Sequence, residues 1–439
     1  MVRAILDSLT ESREWGNDIW NELHYLLEVE VRDFEDERIR FILKRVEKLE
    51  VPGGSLGERH LLGRAFHGLI ELAGTLPFAI NSSVTRLMAA LAESPSDGVP
   101  MSDPFMGTGF LAFEVAFQAA KSGATPPVIE GRTSNKGYWF LANLLGRVYG
   151  FDCRIEVGDS IRNPHEDNQG LKTYDLVVSE PPMGAKIPVG DMYDKHNRFA
   201  EVTQAFEWMA LQHIVASMGE HGKAVVLTAP SVLFSKGAGA KIRTKWIQED
   251  IIESIITLPV GMWQPVTNLA PVILVLNKEK SYFTRKTIFF LQIEGDEFIK
   301  PVPKSRGKKI ISDEGISKIL GQFKLAKENI DPEFSFTQAF ANRVFDRGID
   351  GLEKDGCDLR PKQFLEEEEA AQKQFRPFFF STAVKKAVKR QREAESHLDQ
   401  LLEQHFQIDL KETPPLTEEQ HNQWVKRMRE KWPDEFDEE

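Results

Sequence analysis

The amino-acid sequence predicts a doubly wound α/β domain, a largely parallel sheet covered by helices, with helical regions before and after it. Three observations carry this prediction. Apolar residues recur three and four positions apart through the first ninety residues, short β-rich runs alternate with helical stretches from about Val99, and a glycine turn joins an apolar run to a helix. The chain of 439 residues is 41% hydrophobic, enough for two or three domains and a sizeable buried core.

The N-terminal part is read as helical from about Ile5 to Ala92, on the spacing of Ile19, Leu23 and Leu26 and then of Ile39, Ile42, Leu43 and Val46. Pro52-Gly53-Gly54 interrupts it. Strands are expected at Val128-Ile129, from Arg154 to Val157, Asp175 to Ser179, Ala224 to Thr228, Ile251 to Leu258 and Pro271 to Leu276. Residues 287–294 and 298–302 suit a terminal hairpin, and 313–326 return to helix. From Ser381 to His405 a polar helix carries a narrow apolar seam, Val384, Val388, Leu398, Leu401 and Leu402, of the kind that packs on another helix. After Thr413 the chain turns acidic and proline-containing, which suits a mobile tail. The boundaries implied are an N-terminal helical domain at 1–75, the α/β domain at 76–300, a helical region at 301–412 and the tail at 413–439.

A net charge of −12 argues against the chain alone coating a polyanion, because such affinity comes from lysine and arginine neutralising phosphates. Two basic clusters stand out, Lys304, Arg306, Lys308 and Lys309, then Lys385, Lys386, Lys389, Arg390 and Arg392; solvated surface charge is the favoured reading of each, a local polyanion contact the alternative. Cys153 and Cys357 are too few for a disulfide framework, and neither a signal-like leader nor a run of about 18 apolar residues occurs, so a cytoplasmic location with no membrane partner is expected. His165, His196 and His213 lack metal-ligand spacing with each other or with Cys153, and no metal site is expected. Trp139, Trp208, Trp246 and Trp263 read as core or interface.

The most informative segment is Asp103-Pro104-Phe105-Met106-Gly107-Thr108-Gly109-Phe110-Leu111, following Val99-Pro100-Met101 and leading into a helix. Glycines there let the backbone approach a ligand closely, and the amides opening the helix favour electronegative groups. A glycine turn alone is a weak signal. Taken whole, Asp-Pro-x-x-Gly-Thr-Gly-x-Leu resembles the first motif of the DNA adenine-N6 methyltransferases, in particular the modification subunits of type I restriction–modification systems. The resemblance implies a Rossmann-like class I fold, S-adenosylmethionine as cofactor, and contacts to it from Asp103, Gly107, Thr108 and Gly109. Gly158-Asp159-Ser160-Ile161 is similar to the family's Gly-Asp-Thr-Leu, which puts Asp159 near the cofactor's adenine. The segments from Gly222 to Gly237, Lys241 to Ile247 and Ile251 to Met262 continue the family's order of motifs, as do, more weakly, Lys308 to Ile319 and Asp358 to Leu365.

Where this family does its chemistry the sequence departs from it. Methylating an exocyclic amine requires an extruded base, an acceptor for the amino group and a ring to stack on the base. The family uses Asn-Pro-Pro followed by Phe or Tyr; here the stretch is Glu180-Pro181-Pro182-Met183. An unpaired carboxylate buried beside a base is costly, and Met183 lacks a ring face, so poor catalysis or a different substrate is expected. The acidic residue that the family places on the ribose hydroxyls is replaced by Thr133, counting back from Leu141-Ala142; Glu130 is near enough to substitute only if the loop shifts. Upstream, the family's Phe-Tyr-Thr-Pro aligns with Phe78-Ala79-Ile80-Asn81, leaving Phe78 as a candidate cofactor contact. The implied partners are DNA, a specificity-type subunit and a restriction subunit; the Val384-to-Leu402 seam is the candidate for docking the specificity subunit, the alternative being that it folds back on its own chain. Two readings stand: an adenine-N6 DNA methyltransferase subunit, and a pseudoenzyme in which the same fold serves assembly.

Overall fold

The computed structural model describes residues 55–61, 63–64, 81–93, 98–188, 194–262, 269–280, 288–293, 295, 298–302, 307–328, 339–342 and 357–361. All belong to one compact unit, Met1–Glu366. The Ile19-to-Val46 helical pattern, Phe78, Trp263, the Lys385-to-Arg392 cluster, the Val384-to-Leu402 seam and the acidic tail lie outside the described residues.

Helix α1 (Ser82–Ala92) is opened by Asn81, whose side chain accepts from the Ser83 backbone N–H at 3.1 Å. Strand β1 (Met101–Asp103) runs into the glycine turn and helix α2 (Phe110–Lys121), whose buried face, Leu111, Phe113, Val115 and Ala116, packs against α1. Strand β2 (Ile129–Thr133) follows, then helix α3 (Lys136–Tyr149), capped by Asn135 accepting from Gly137 N at 2.8 Å and closed by Gly150 at φ +74°. Strand β3 (Cys153–Val157) is followed by a small hairpin, β4 (Glu166–Asp167) and β5 (Gly170–Leu171), and then by the buried strand β6 (Tyr174–Ser179). Helix α4 (Phe206–Ala216), strand β7 (Met218–Thr228), helix α5 (Ala238–Gln248) and strands β8 (Ile252–Thr257), β9 (Val272–Asn277) and β10 (Ile288–Gln292) complete the middle of the domain. Beyond them come β11 (Ile299–Pro301), β12 (Lys309–Ile311), α6 (Asp313–Glu328) and β13 (Ala339–Asn342).

Among the described residues nine strands form one sheet, in the order β13-β10-β8-β9-β7-β6-β1-β2-β3. Five of its eight neighbouring pairs are parallel, and β9 runs against both β7 and β8. The largely parallel sheet expected from the alternating pattern is therefore present. The central strands are buried on both faces, which is why Val177-Val178, Val225-Val226 and Ile255-Ile256 read as continuous apolar runs. One face packs on α1, α2, α3 and α6, through residues such as Leu87, Phe113, Leu145 and Ile319; the other packs on α4 and α5 through Trp208, Leu211, Ile242 and Trp246.

The hairpin expected at 287–294 and 298–302 does not form. Ile288, Phe289, Phe290 and Leu291 are all buried, so β10 belongs inside the sheet, parallel to β8 and antiparallel to β13. Strand β11 pairs instead with β12.

Candidate active site

Strand β1 lies between β2 and β6, so the chain winds away from it on both sides and the loops after β1 and β6 diverge. A crevice opens at that point, outside the carboxyl ends of the strands, where ligands bind in open α/β sheets. The structure has a cavity of about 750 Å³ there. Its lining comes from residues that follow strand ends: Pro104–Thr108 after β1, Thr133-Ser134 after β2, Gly158–Ser160 after β3, Glu180–Pro188 after β6, and Ala229 and Ser231 after β7.

The glycine loop is shaped from beneath. Asp103 is buried at the end of β1 and accepts from the Phe105 backbone N–H at 3.2 Å and the Ser179 hydroxyl at 2.8 Å. Burial pushes its carboxyl up to about 7, against the pull of those two hydrogen bonds. Gly107 has φ +52° and a Cβ there would meet no protein atom within 4 Å, so its backbone faces open cavity. Gly109 has φ +84° and opens α2; a Cβ on it would lie 2.7 Å from both Met106 and Phe113. Gly107 and Thr108 line the cavity, whereas Asp103 and Gly109 hold the loop in shape behind it.

The loop after β3 is tied to this one by the Ser160 hydroxyl, which donates to Pro104 O at 2.5 Å. Asp159 accepts from Ile161 N at 2.9 Å and pairs with Arg162 at 2.7 Å. Buried Arg198 donates to Ser160 O at 3.1 Å and Ile161 O at 2.6 Å, and leans on His213 Nδ1 at 3.1 Å. His213, whose pKa burial holds well below the usual histidine range, thus serves as a neutral brace for that loop. Neither Arg198 nor His213 is marked by any motif; only the folded contacts reveal them.

Thr133 closes β2 and lines the cavity, its backbone carbonyl accepting from Gly158 N at 2.9 Å. Glu130 does not take over at this point. It is buried and engaged by Lys172 Nζ at 2.6 Å, the Tyr174 hydroxyl at 2.9 Å and Arg154 at 3.2 Å. Three partners fix it away from the cavity. Asn81, the last residue of the upstream departure, caps α1 and donates to Lys309 O at 2.6 Å, a structural task.

Glu180, Pro181, Pro182 and Met183 line the cavity together. Glu180 Oε1 is sealed from solvent with no hydrogen-bond partner. Burial, then the neighbouring Asp103 carboxyl, holds Glu180 well above the ordinary carboxylate range. The loop beyond is anchored by Gly184, at φ +68°, donating its N–H to the Glu207 carboxylate. With no ring at Met183, the aromatic surfaces in the cavity are Phe105, Phe110, Tyr138 and Phe206, of which Phe105 and Phe206 meet edge to face at 5.5 Å. Sequence reasoning missed Phe206, Tyr138 and Glu207; each belongs to an ordinary helix start, with no local signal of a cavity.

A family model described as N-6 DNA Methylase matches residues 78–372. The methylase subunit of the type I restriction enzyme MjaVIII from Methanocaldococcus jannaschii is 27% identical over 267 residues, 56% of this chain and 44% of that protein. The methylase subunit of the type I restriction enzyme EcoEI from Escherichia coli is 26% identical over 274 residues, 59% of this chain and 54% of that protein. The chain thus spans about half the length of these relatives. Among solved structures, the methyltransferase subunit of a type I restriction-modification system from Streptococcus thermophilus superposes with a TM-score of 0.58 at 21% identity, covering 72% of this chain and 66% of that one. That likeness shows the fold, an α/β Rossmann-like methyltransferase fold.

Proposed function

The chain belongs to the N-6 DNA methylase family, and on that premise we propose that it is an S-adenosylmethionine-dependent subunit that methylates the N6 amine of adenine in DNA, working with a specificity-type subunit and a restriction subunit. One observation carries the proposal: the glycine loop, Asp159 and the Glu180-to-Met183 turn, far apart in sequence, line one cavity at the switch point of the sheet.

The cavity fits the cofactor. Gly107 and Thr108 would cradle the methionine half, where a Cβ at Gly107 would meet nothing but space. Asp159 would face the adenine, and the Thr133 hydroxyl would take one ribose oxygen in place of a carboxylate. Bound there, S-adenosylmethionine would supply an electrophilic methyl group. The chain's own residues do the rest. Pro181 and Pro182 fix the turn that presents Glu180, Glu180 accepts a hydrogen bond from the amine, and the aromatic walls exclude water around the extruded base. The acidic chain leaves most of the phosphate contacts to its partners.

A second reading is favoured by Thr133 and by the fixed position of Glu130, which together leave the ribose without a carboxylate. In it the fold serves assembly alone. Incubating the chain with tritium-labelled S-adenosylmethionine and adenine-containing DNA, beside the double variant Glu180→Asn with Met183→Phe, separates the two. Label recovered as N6-methyladenine supports the enzyme. Cofactor binding with no label in either protein favours the assembly role.

A further inference from the structure

We infer that Glu180 reads the base as a neutral carboxylic acid, its carbonyl oxygen accepting from an exocyclic amine while its hydroxyl donates to the adjacent ring nitrogen. The inference rests on the proposed function and assigns this residue the choice of edge that the pocket accepts.

The geometry points to it from three sides. Glu180 lies at the end of β6, in the wall of the cavity, with Oε1 buried and unpartnered. An ionised carboxylate there would hold one oxygen out of water with no hydrogen bond in exchange, and among the described residues no ion pair engages it. The Asp103 carboxyl on β1 acts in the same direction, since once ionised it raises the cost of a negative charge at Glu180. The other charged groups lining the cavity are Arg132, Asp159, Arg162, Lys186 and Glu207. Arg132 is paired with Glu156 through Nη2 while its Nε and Nη1 are buried without a hydrogen-bond partner, Arg162 is paired with Asp159, Glu207 accepts from Gly184, and Lys186 is exposed.

A carboxylate offers acceptors only, whereas the protonated acid offers one acceptor and one donor side by side. That pattern is the one an amide presents. It complements the N6–H and N1 edge of adenine with two parallel hydrogen bonds, and it is lost when the proton leaves. Glu180 therefore makes recognition depend on pH, failing as pH rises, with Asp103 delaying the loss.

The test uses a fluorescent single strand carrying one adenine and an otherwise identical strand carrying 1-deazaadenine, which keeps the amine and lacks N1. Affinities are read by anisotropy with the full chain from pH 6 to 9.5, with and without saturating S-adenosylhomocysteine. At pH 6 the native chain should prefer adenine by about tenfold, the worth of a good bidentate base contact, and the preference should decline toward pH 9.5. Glu180→Gln should keep the preference at every pH, and Glu180→Ala should have none, with thermal melts showing both variants folded. A preference that does not change with pH in the native chain, or that Glu180→Gln lacks as fully as Glu180→Ala, overturns the inference. Calorimetry of S-adenosylhomocysteine on the same samples separates the two ideas. Absent cofactor binding counts against the proposed function, while cofactor binding beside a pH-independent preference counts against the neutral acid alone.

Discussion

Asp103 shows how a single residue ties the site to the stability of the chain. Its carboxyl, raised by burial to about 7 from an ordinary 3.8, keeps in the folded state a proton that the unfolded chain has already released. Stability is therefore greatest below about pH 4 for this group and is lost as pH rises toward 7. Asp103→Asn keeps an acceptor for Phe105 N–H and Ser179 Oγ and has no charge to bury. In urea titrations the variant should gain on the native chain by an amount that grows, between pH 4.5 and 7.5, to on the order of 3 kcal/mol. An equal gap at all pH values would mean that Asp103 is charged throughout. Glu180 belongs to the same acidic pair, and the neutral acid inferred for it would make an amide substitute of what reads in sequence as a misplaced charge.

At the scale of elements, the sheet was legible because β6, β7, β8 and β9 carry continuous apolar runs, and α2 was legible because Gly107 and Gly109 punctuate the chain before it. The misplaced hairpin at β10 has a physical cause. Ile288 to Leu291 alternates with nothing polar, so its pattern fits a strand buried on both faces, yet which neighbours it joins is set by contacts with β8 and β13 far away in sequence. The same holds for the site: Gly107, Asp159 and Glu180 are read from strand-end motifs, whereas Phe206, Arg198 and His213 come from helices and loops whose placement is tertiary. Residues 357–361 give a further case. Arg243 of α5, fully buried, donates to Cys357 O at 2.7 Å, Val232 O at 3.0 Å and Ser235 O at 2.7 Å, while Leu359 N donates to Leu233 O at 2.8 Å. Arg360 lies over the Phe234 ring at 5.0 Å. This segment closes over the loop after β7, next to the cavity wall at Ala229 and Ser231. Arg243→Met keeps the apolar volume and strands three carbonyls, and should cost about 2–4 kcal/mol in urea unfolding. A loss below about 0.5 kcal/mol, within the range of surface changes, would show that the segment is held elsewhere.

For the molecule as a whole, the sheet supplies a rigid rim of strand ends on which the loops after β1, β3 and β6 are braced by Asp103, Arg198 and Glu207. Everything proposed for the cavity depends on the cofactor. The most direct test is calorimetric titration of S-adenosylmethionine into the full chain and into Gly107→Ala. That substitution places a methyl group in the open cradle at φ +52°, with only about 1–2 kcal/mol of backbone strain. The account predicts saturable binding to the native chain, weakened more than tenfold in a variant that still melts cooperatively. No heat of binding in the native chain, or equal affinity in both, would contradict it.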